Sequence, residues 1–373
     1  MYEQISGNTL YLMFYAGVTV LNLIACCYLL FRRGNAFAPD ITSPVRLRQW
    51  TAAFFAAITL CHLWYLPTYF LSSSSDMAQG YRIAALFDSM TVIPLTIVVL
   101  LAMLQDRKRP LWPAFVMAAP LAVGAAWCIA TRSDSLLPVL YVYFLLMWLG
   151  VIIYMVCAIR QYGRWLRDNY ADLEHKEVWQ NFLVLGIFLL VYVIYSLDEG
   201  GLIFEYAMEV TDVIVVGYLL WRVETLSDLS SSIQTDTIIT TNDAEEKTDT
   251  SESNGLSPTI STNIGSLLKR FCEEPQLYLQ HDISAMQLAK QIGTNRVYLS
   301  KYFASQGITY STYINGLRIQ HFIYLYHEAV ATHQPITVQQ LADKSGFHSY
   351  STFNAAFKQI MGKTATEWMS SEL

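Results

Sequence analysis

Seven stretches of about twenty apolar residues fill most of the first 226 positions of this 373-residue chain, and they decide which solvent it can fold in. A helix rises 1.5 Å per residue, so about twenty residues are needed to cross roughly 30 Å of hydrocarbon. The stretches run over 10–31, 50–71, 83–104, 111–130, 136–159, 179–197 and 202–221. The first is read as a span and not as a cleaved signal, because it is longer than a signal core and residues 1–9 carry no Lys or Arg. Only 14% of the chain is charged, against about one quarter in soluble domains, which fits a lipid-facing first part.

Orientation follows from the short loops, since Lys and Arg are retained on the cytoplasmic side. The first, third and fifth loops hold Arg32, Arg33, Arg46, Arg48, Arg107, Lys108, Arg109, Arg160, Arg164, Arg167 and Lys176, whereas the alternate loops hold Arg82 and Arg132. Eleven basic residues against two place the N-terminus outside and everything after the seventh stretch in the cytoplasm. Cys26, Cys27, Cys61, Cys128 and Cys157 lie in the apolar runs and Cys272 stands alone, with no CxxC and no metal-ligand spacing. Neither a disulfide framework, nor a metal, nor a cofactor is expected.

Carboxylates inside such stretches carry more information. Near the bilayer centre each costs about 2.5 to 3.5 kcal/mol and must face partners or water. Asp88 and Asp212 lie deepest, and Glu205, Glu209 and Asp212 recur at i, i+4 and i+7 along one face of the seventh stretch. Two readings stand. In one, Asp88, Glu205, Glu209 and Asp212, with His62 beside them, line a polar cavity that opens outward and receives a small cationic or polar molecule or a proton. In the other, these acids sit in a hydrated corner of the bundle.

The chain then changes character. Of the 35 residues 227–261, 15 are Ser or Thr and seven are acidic, a composition that cannot bury enough apolar surface to order itself. As a flexible coil it reaches about 30 to 35 Å. Residues 262–373 carry nine basic and seven acidic side chains, so the acidic whole-chain balance of −6 says little about the partners of this last part.

Within 262–373 a segment repeats after 53 residues: Gln287-Leu288-Ala289-Lys290-Gln291-Ile292-Gly293 returns as Gln340-Leu341-Ala342-Asp343-Lys344-Ser345-Gly346. Each copy opens with a capping box, Ser284-x-x-Gln287 and Thr337-x-x-Gln340, next to a hydrophobic staple, Ile283 with Leu288 and Ile336 with Leu341. Each closes on a Gly suited to the left-handed position at a helix C-terminus. A second helix is expected after each Gly, over 295–304 and 349–361, with Leu299 and Phe303, or Phe353 and Phe357, as its buried stripe. Helix, glycine turn and helix, twice over, is the helix-turn-helix plan.

From about residue 264 onward these residues resemble the AraC/XylS transcription regulators. The run Gly346-Phe347-x-x-x-Ser351-x-Phe353-Asn354-x-x-Phe357-Lys358-x-x-x-Gly362-x-Thr364 is similar to that family's second-repeat signature, and Ile314-Asn315-x-Leu317-Arg318-Ile319 to its connecting helix. Ala355 and Ala365 stand where Arg and Pro are usual in the family. The resemblance implies two helix-turn-helix units joined by a long helix, reading successive major grooves of double-stranded DNA. In the first unit Val297, Ser300 and Lys301 match the family's base-reading positions, with Arg296 beside them. In the second, Tyr350, Ser351 and Asn354 occupy the matching face and Lys358 is a candidate for a phosphate contact. The resemblance leaves open a homodimer or one chain spanning an asymmetric site.

The expectation is therefore an all-α chain. It comprises a seven-helix transmembrane sensor domain over 1–226, an acidic linker over 227–261 and an AraC-type DNA-binding domain over 262–373, in a bacterial inner membrane. Its function would be one-component transcription regulation without enzymatic chemistry, coupled through the seventh helix and the linker. A transporter or membrane enzyme with a regulatory DNA-binding tail is the alternative, although no HExxH, spaced His pair or phosphate loop marks one.

Overall fold

The computed structural model describes residues 9–32, 35–36, 42–71, 73–173, 176–180, 182–183, 186–187, 202–229, 264–333 and 337–372. Among them the regular structure is helical, in thirteen α-helices, and the one β-type pairing is an isolated bridge between Tyr170 and Ser284. The chain divides into two compact units, Met1–Arg160 with Val178–Ile233, and Gln161–Glu177 with Gln234–Leu373.

The first unit contains α1 (Thr9–Phe31), α2 (Val45–Tyr65), α3 (Ser74–Met90), α4 (Val92–Ala102), α5 (Trp112–Thr131), most of α6 (Leu137–Asn169) and α7 (Leu202–Thr225). A 3-10 turn, Leu66–Phe70, continues α2. Five helical segments, Thr9–Phe31, Val45–Phe70, Ser74–Ala102, Trp112–Thr131 and Leu137–Asn169, are long and apolar enough to cross a membrane. They overlap the first five sequence stretches, the third starting nine residues earlier and the fifth running ten residues further. The sixth stretch lies largely outside the described residues, and the seventh is α7, which carries the acids.

The third stretch is not one helix. It breaks at Thr91 (φ −123°, ψ −69°), and α4 begins with Pro94 in its first turn, where a residue without an N–H leaves no helical bond unmade. Helix α1 packs on α2 and α7, α2 on α4, and α3 on α5. On α6, Leu145, Leu146, Leu149, Ile152, Ile153 and Val156 remain exposed, an apolar surface compatible with a lipid environment.

Helix α7 ends at Thr225. Beyond it the Asp228 amide donates to the Thr42 carbonyl (2.9 Å), the Leu229 amide to Gln105 Oε1 (2.8 Å), and Gln105 Nε2 to the Ser227 carbonyl (2.9 Å). These bonds satisfy backbone groups that a further helical turn would otherwise have used.

In the second unit, α8 (Ala285–Gln291) and α9 (Arg296–Ser305) form one helix pair, α10 (Tyr310–Ala331) connects, and α11 (Val338–Lys344) and α12 (Tyr350–Met361) form the other pair, followed by α13 (Ala365–Glu372). Both capping boxes form, Ser284 with Gln287 and Thr337 with Gln340. Asn295, Thr309 and Ser349 cap α9, α10 and α12. Two cores result, one around Leu288, Leu299, Phe303 and Ile314, the other around Phe322, Leu341, Phe353 and Phe357. Ile283 joins Leu288 in the first core as the staple requires, whereas Ile336 lies outside the described residues.

Candidate functional site

Two sites emerge, one in each unit. In the second unit, Leu299 and Phe303 turn one face of α9 into the core, and this leaves Val297 and Lys301 exposed and Arg296 and Ser300 half-buried on the other sides. Likewise α12 buries Phe353, Ala356 and Phe357, with Tyr350, Ser351 and Lys358 exposed and Asn354 half-buried. Donors and one aromatic ring thus project from both helices without contributing to the cores. Side chains placed this way can reach base edges or phosphates from a major groove.

What fixes the two helix pairs relative to each other is a residue that sequence reasoning left without a role. Arg318 on α10 is fully buried, and its Nε donates to the Tyr278 carbonyl (2.8 Å) while Nη2 donates to the carbonyls of Gln280 (2.7 Å) and His281 (3.1 Å). The same guanidinium lies 5.6 Å from the centre of the Phe347 ring in the second pair. Burial pulls its pKa below the ordinary arginine value. Gly346 makes the second link: at φ +86° its Cα faces the Leu279 backbone so closely that a Cβ would stand 2.7 Å from Leu279 Cα and O. Cys272 is buried beneath the first pair, where burial pushes its thiol up to about 12, so it is an inert packing residue.

In the first unit the four acids singled out in the sequence have specific partners. Glu209 Oε2 lies 3.2 Å from His62 Nε2, and His62 Nδ1 lies 2.8 Å from the Ile58 carbonyl. A carbonyl can only accept, so Nδ1 carries a hydrogen, and the Nε2–Oε2 bond needs a second proton on one partner or the other. Asp212 accepts from Asn22 Nδ2 (2.6 Å), Glu205 from Tyr11 Oη (3.2 Å), and Asp88 from Trp64 Nε1 (3.1 Å) and Tyr65 Oη (2.9 Å). His62 lies within electrostatic reach of both Asp88 and Asp212. It therefore stands among three carboxylates, while Glu205 sits apart among the rings of Tyr11, Tyr69 and Tyr206.

The aromatic partners had only a weak sequence signal, Tyr11 and Tyr15 four apart on α1. Glu224, fully buried and bonded to Tyr28 (2.6 Å) and the Ala36 amide (2.9 Å), was missed. Among the described residues no three His, Cys, Asp or Glu side chains converge to hold a metal ion.

Comparison with known proteins separates the two parts of the chain. Residues 288–371 match a family model described as a helix-turn-helix domain. The C-terminal region carries an AraC-type helix-turn-helix domain. Over 102 residues the chain is 26% identical to an uncharacterized HTH-type transcriptional regulator of Staphylococcus aureus strain MRSA252, and equally so to another from the same species. Each match covers 27% of this chain but only 13% of the relative. No solved structure matches the chain.

Proposed function

We propose that this chain is a membrane-embedded one-component transcription regulator, in which a seven-crossing bundle senses a signal and controls sequence-specific DNA binding by two helix-turn-helix units. The observation that carries the reading is the joining, in one chain, of five membrane-length apolar helices with an AraC-type helix-turn-helix domain. No enzymatic step is required.

Helix pairing supports seven crossings. Tyr11 meets Glu205, Asn22 meets Asp212 and Tyr28 meets Glu224, so α1 and α7 run parallel. Parallel spans need an odd number of crossings between them, and four of the five apolar helices lie there. The stretch over 179–197 is the fifth. With eleven basic residues on one side and two on the other, the parity supports an N-terminus outside and a cytoplasmic DNA-binding domain, in the inner membrane of a bacterium.

The residues assigned to DNA are Arg296, Val297, Ser300, Lys301, Tyr350, Ser351, Asn354 and Lys358. Those assigned to the signal are Asp88, Glu205, Glu209 and Asp212 with His62. Three carboxylates around one imidazole favour a cationic small molecule or a proton as the signal, since either relieves uncompensated buried negative charge. Reporter tags on the two chain ends, combined with chromatin pull-down by the full chain, test the whole scheme. Opposite compartments and recovery of discrete promoter fragments are expected; tags in one compartment, or no DNA recovered, would refute it.

A further inference from the structure

The fifth-loop segment, which its basic residues assign to the cytoplasmic side, is built into the second unit. Residues 168–173 follow the apolar part of α6 and enter the core between the two helix pairs. Ala171, 1% exposed, belongs to the first pair's hydrophobic core. Its carbonyl accepts from Asn315 Nδ2 (3.2 Å) and Ser311 Oγ (3.4 Å), both buried on the connecting helix α10. Tyr170 pairs by an isolated bridge with Ser284, the N-cap of α8, and Lys176 stands 3.9 Å from Asp282.

One carboxylate of the segment bonds to a reading helix and a second lies near the other. Asp172, 4% exposed, accepts from Thr352 Oγ1 (3.0 Å) in the first turn of α12. Asp168 lies within electrostatic reach of its neighbour Arg167, of Arg296, the first residue of α9, and of Arg164. Phosphates of bound DNA are drawn to arginines and hydroxyls at the N-terminal ends of such helices, where the helix dipole also favours negative charge. The two carboxylates there offer the protein's own anions in place of the phosphates.

We propose that residues 168–173 form an autoinhibitory clamp: anchored through Ala171 to α10, they present Asp168 and Asp172 to the N-terminal turns of both reading helices and compete with the DNA backbone. Because α6 runs unbroken from Leu137 to Asn169, a shift of that helix is delivered directly to the clamp. This gives the signal a covalent route other than α7 and the 227–261 linker. The inference rests on the DNA-binding reading above.

The test uses the full chain in nanodiscs and, as probe, the duplex fragment most enriched in its own chromatin pull-down. The double variant Asp168→Asn with Asp172→Asn is expected to bind this duplex about five- to tenfold more tightly than the unaltered chain. Equal or weaker binding by a variant with unaltered thermal unfolding overturns the clamp. Amide hydrogen exchange on the unaltered chain gives a second reading that needs no variant. Faster exchange at 169–173 when duplex is added supports displacement, and unchanged protection in the bound state overturns it. If neither protein binds any duplex at low salt, the DNA-binding reading itself fails and the clamp with it.

Discussion

Gly293 and Gly346 close the first helix of each repeat, both at positive φ, but their surroundings differ. At Gly293 (φ +73°) nothing lies within 4 Å of an added Cβ, whereas at Gly346 the added atom would collide with the Leu279 main chain. Gly293→Ala should therefore cost only the left-handed strain, about 1 to 2 kcal/mol. Gly346→Ala carries the same strain and must in addition part the two helix pairs, so a loss of about 3 kcal/mol or more is expected. Denaturant-dependent amide exchange of the full chain, read in α8 and α9 for the first variant and in α11 and α12 for the second, measures the two losses, and equal losses would contradict the close approach. Arg318→Lys should likewise cost about 2 to 3 kcal/mol, because a single ammonium cannot span three carbonyls that a planar guanidinium reaches together. The glycines and capping boxes were legible in the sequence because their partners lie within a few residues. Arg318 was not, since its acceptors are 37 to 40 residues away and only the folded chain brings them to it.

At the scale of elements, apolar length alone located the five long apolar helices, because a continuous apolar run of that length satisfies its backbone most simply within one helix. The break at Thr91 escaped that reasoning, as hydropathy does not register where a backbone bends. The segment 168–173 escaped for another reason: it is polar, and its burial depends on Asn315 and Ser311 from a distant helix. The buried and exposed faces of α9 and α12 were legible from residue spacing, and the exposed faces proposed to meet DNA lead to a specific expectation. Lys301→Ala should weaken DNA binding by about 1 to 3 kcal/mol if Lys301 reaches a guanine edge, with relaxed preference at one base pair. If Lys301 instead meets a phosphate, binding should fall uniformly across sequences and the slope of log affinity against log salt should decrease by about one. Titrations at several salt concentrations separate the two contacts, and an unchanged footprint on the target promoter would remove α9 as a reading helix.

At the scale of the whole molecule, α7 is held to α1 by three carboxylates along its length, Glu205, Asp212 and Glu224, each meeting a neutral donor. Glu209 instead faces the imidazole of His62. Glu224 is also paired with Arg48 at 3.7 Å, which makes that end a fixed anchor, whereas the His62–Glu209 end changes its net charge with a single proton or cation. A signal acting there would alter how α7 sits on α1 and α2 while Glu224 stays in place. Glu209→Gln together with Asp212→Asn removes both charges but keeps the hydrogen-bonding shapes, so it should leave insertion and abundance unchanged and fix the regulator in one transcriptional state. Glu224→Gln should instead lower abundance, because it leaves Arg48 without its buried counter-charge. Promoter-reporter output measured beside membrane protein level distinguishes the two variants. If the Glu209/Asp212 variant still switched like the unaltered chain, the buried acids would be structural only and the signal would have to enter elsewhere.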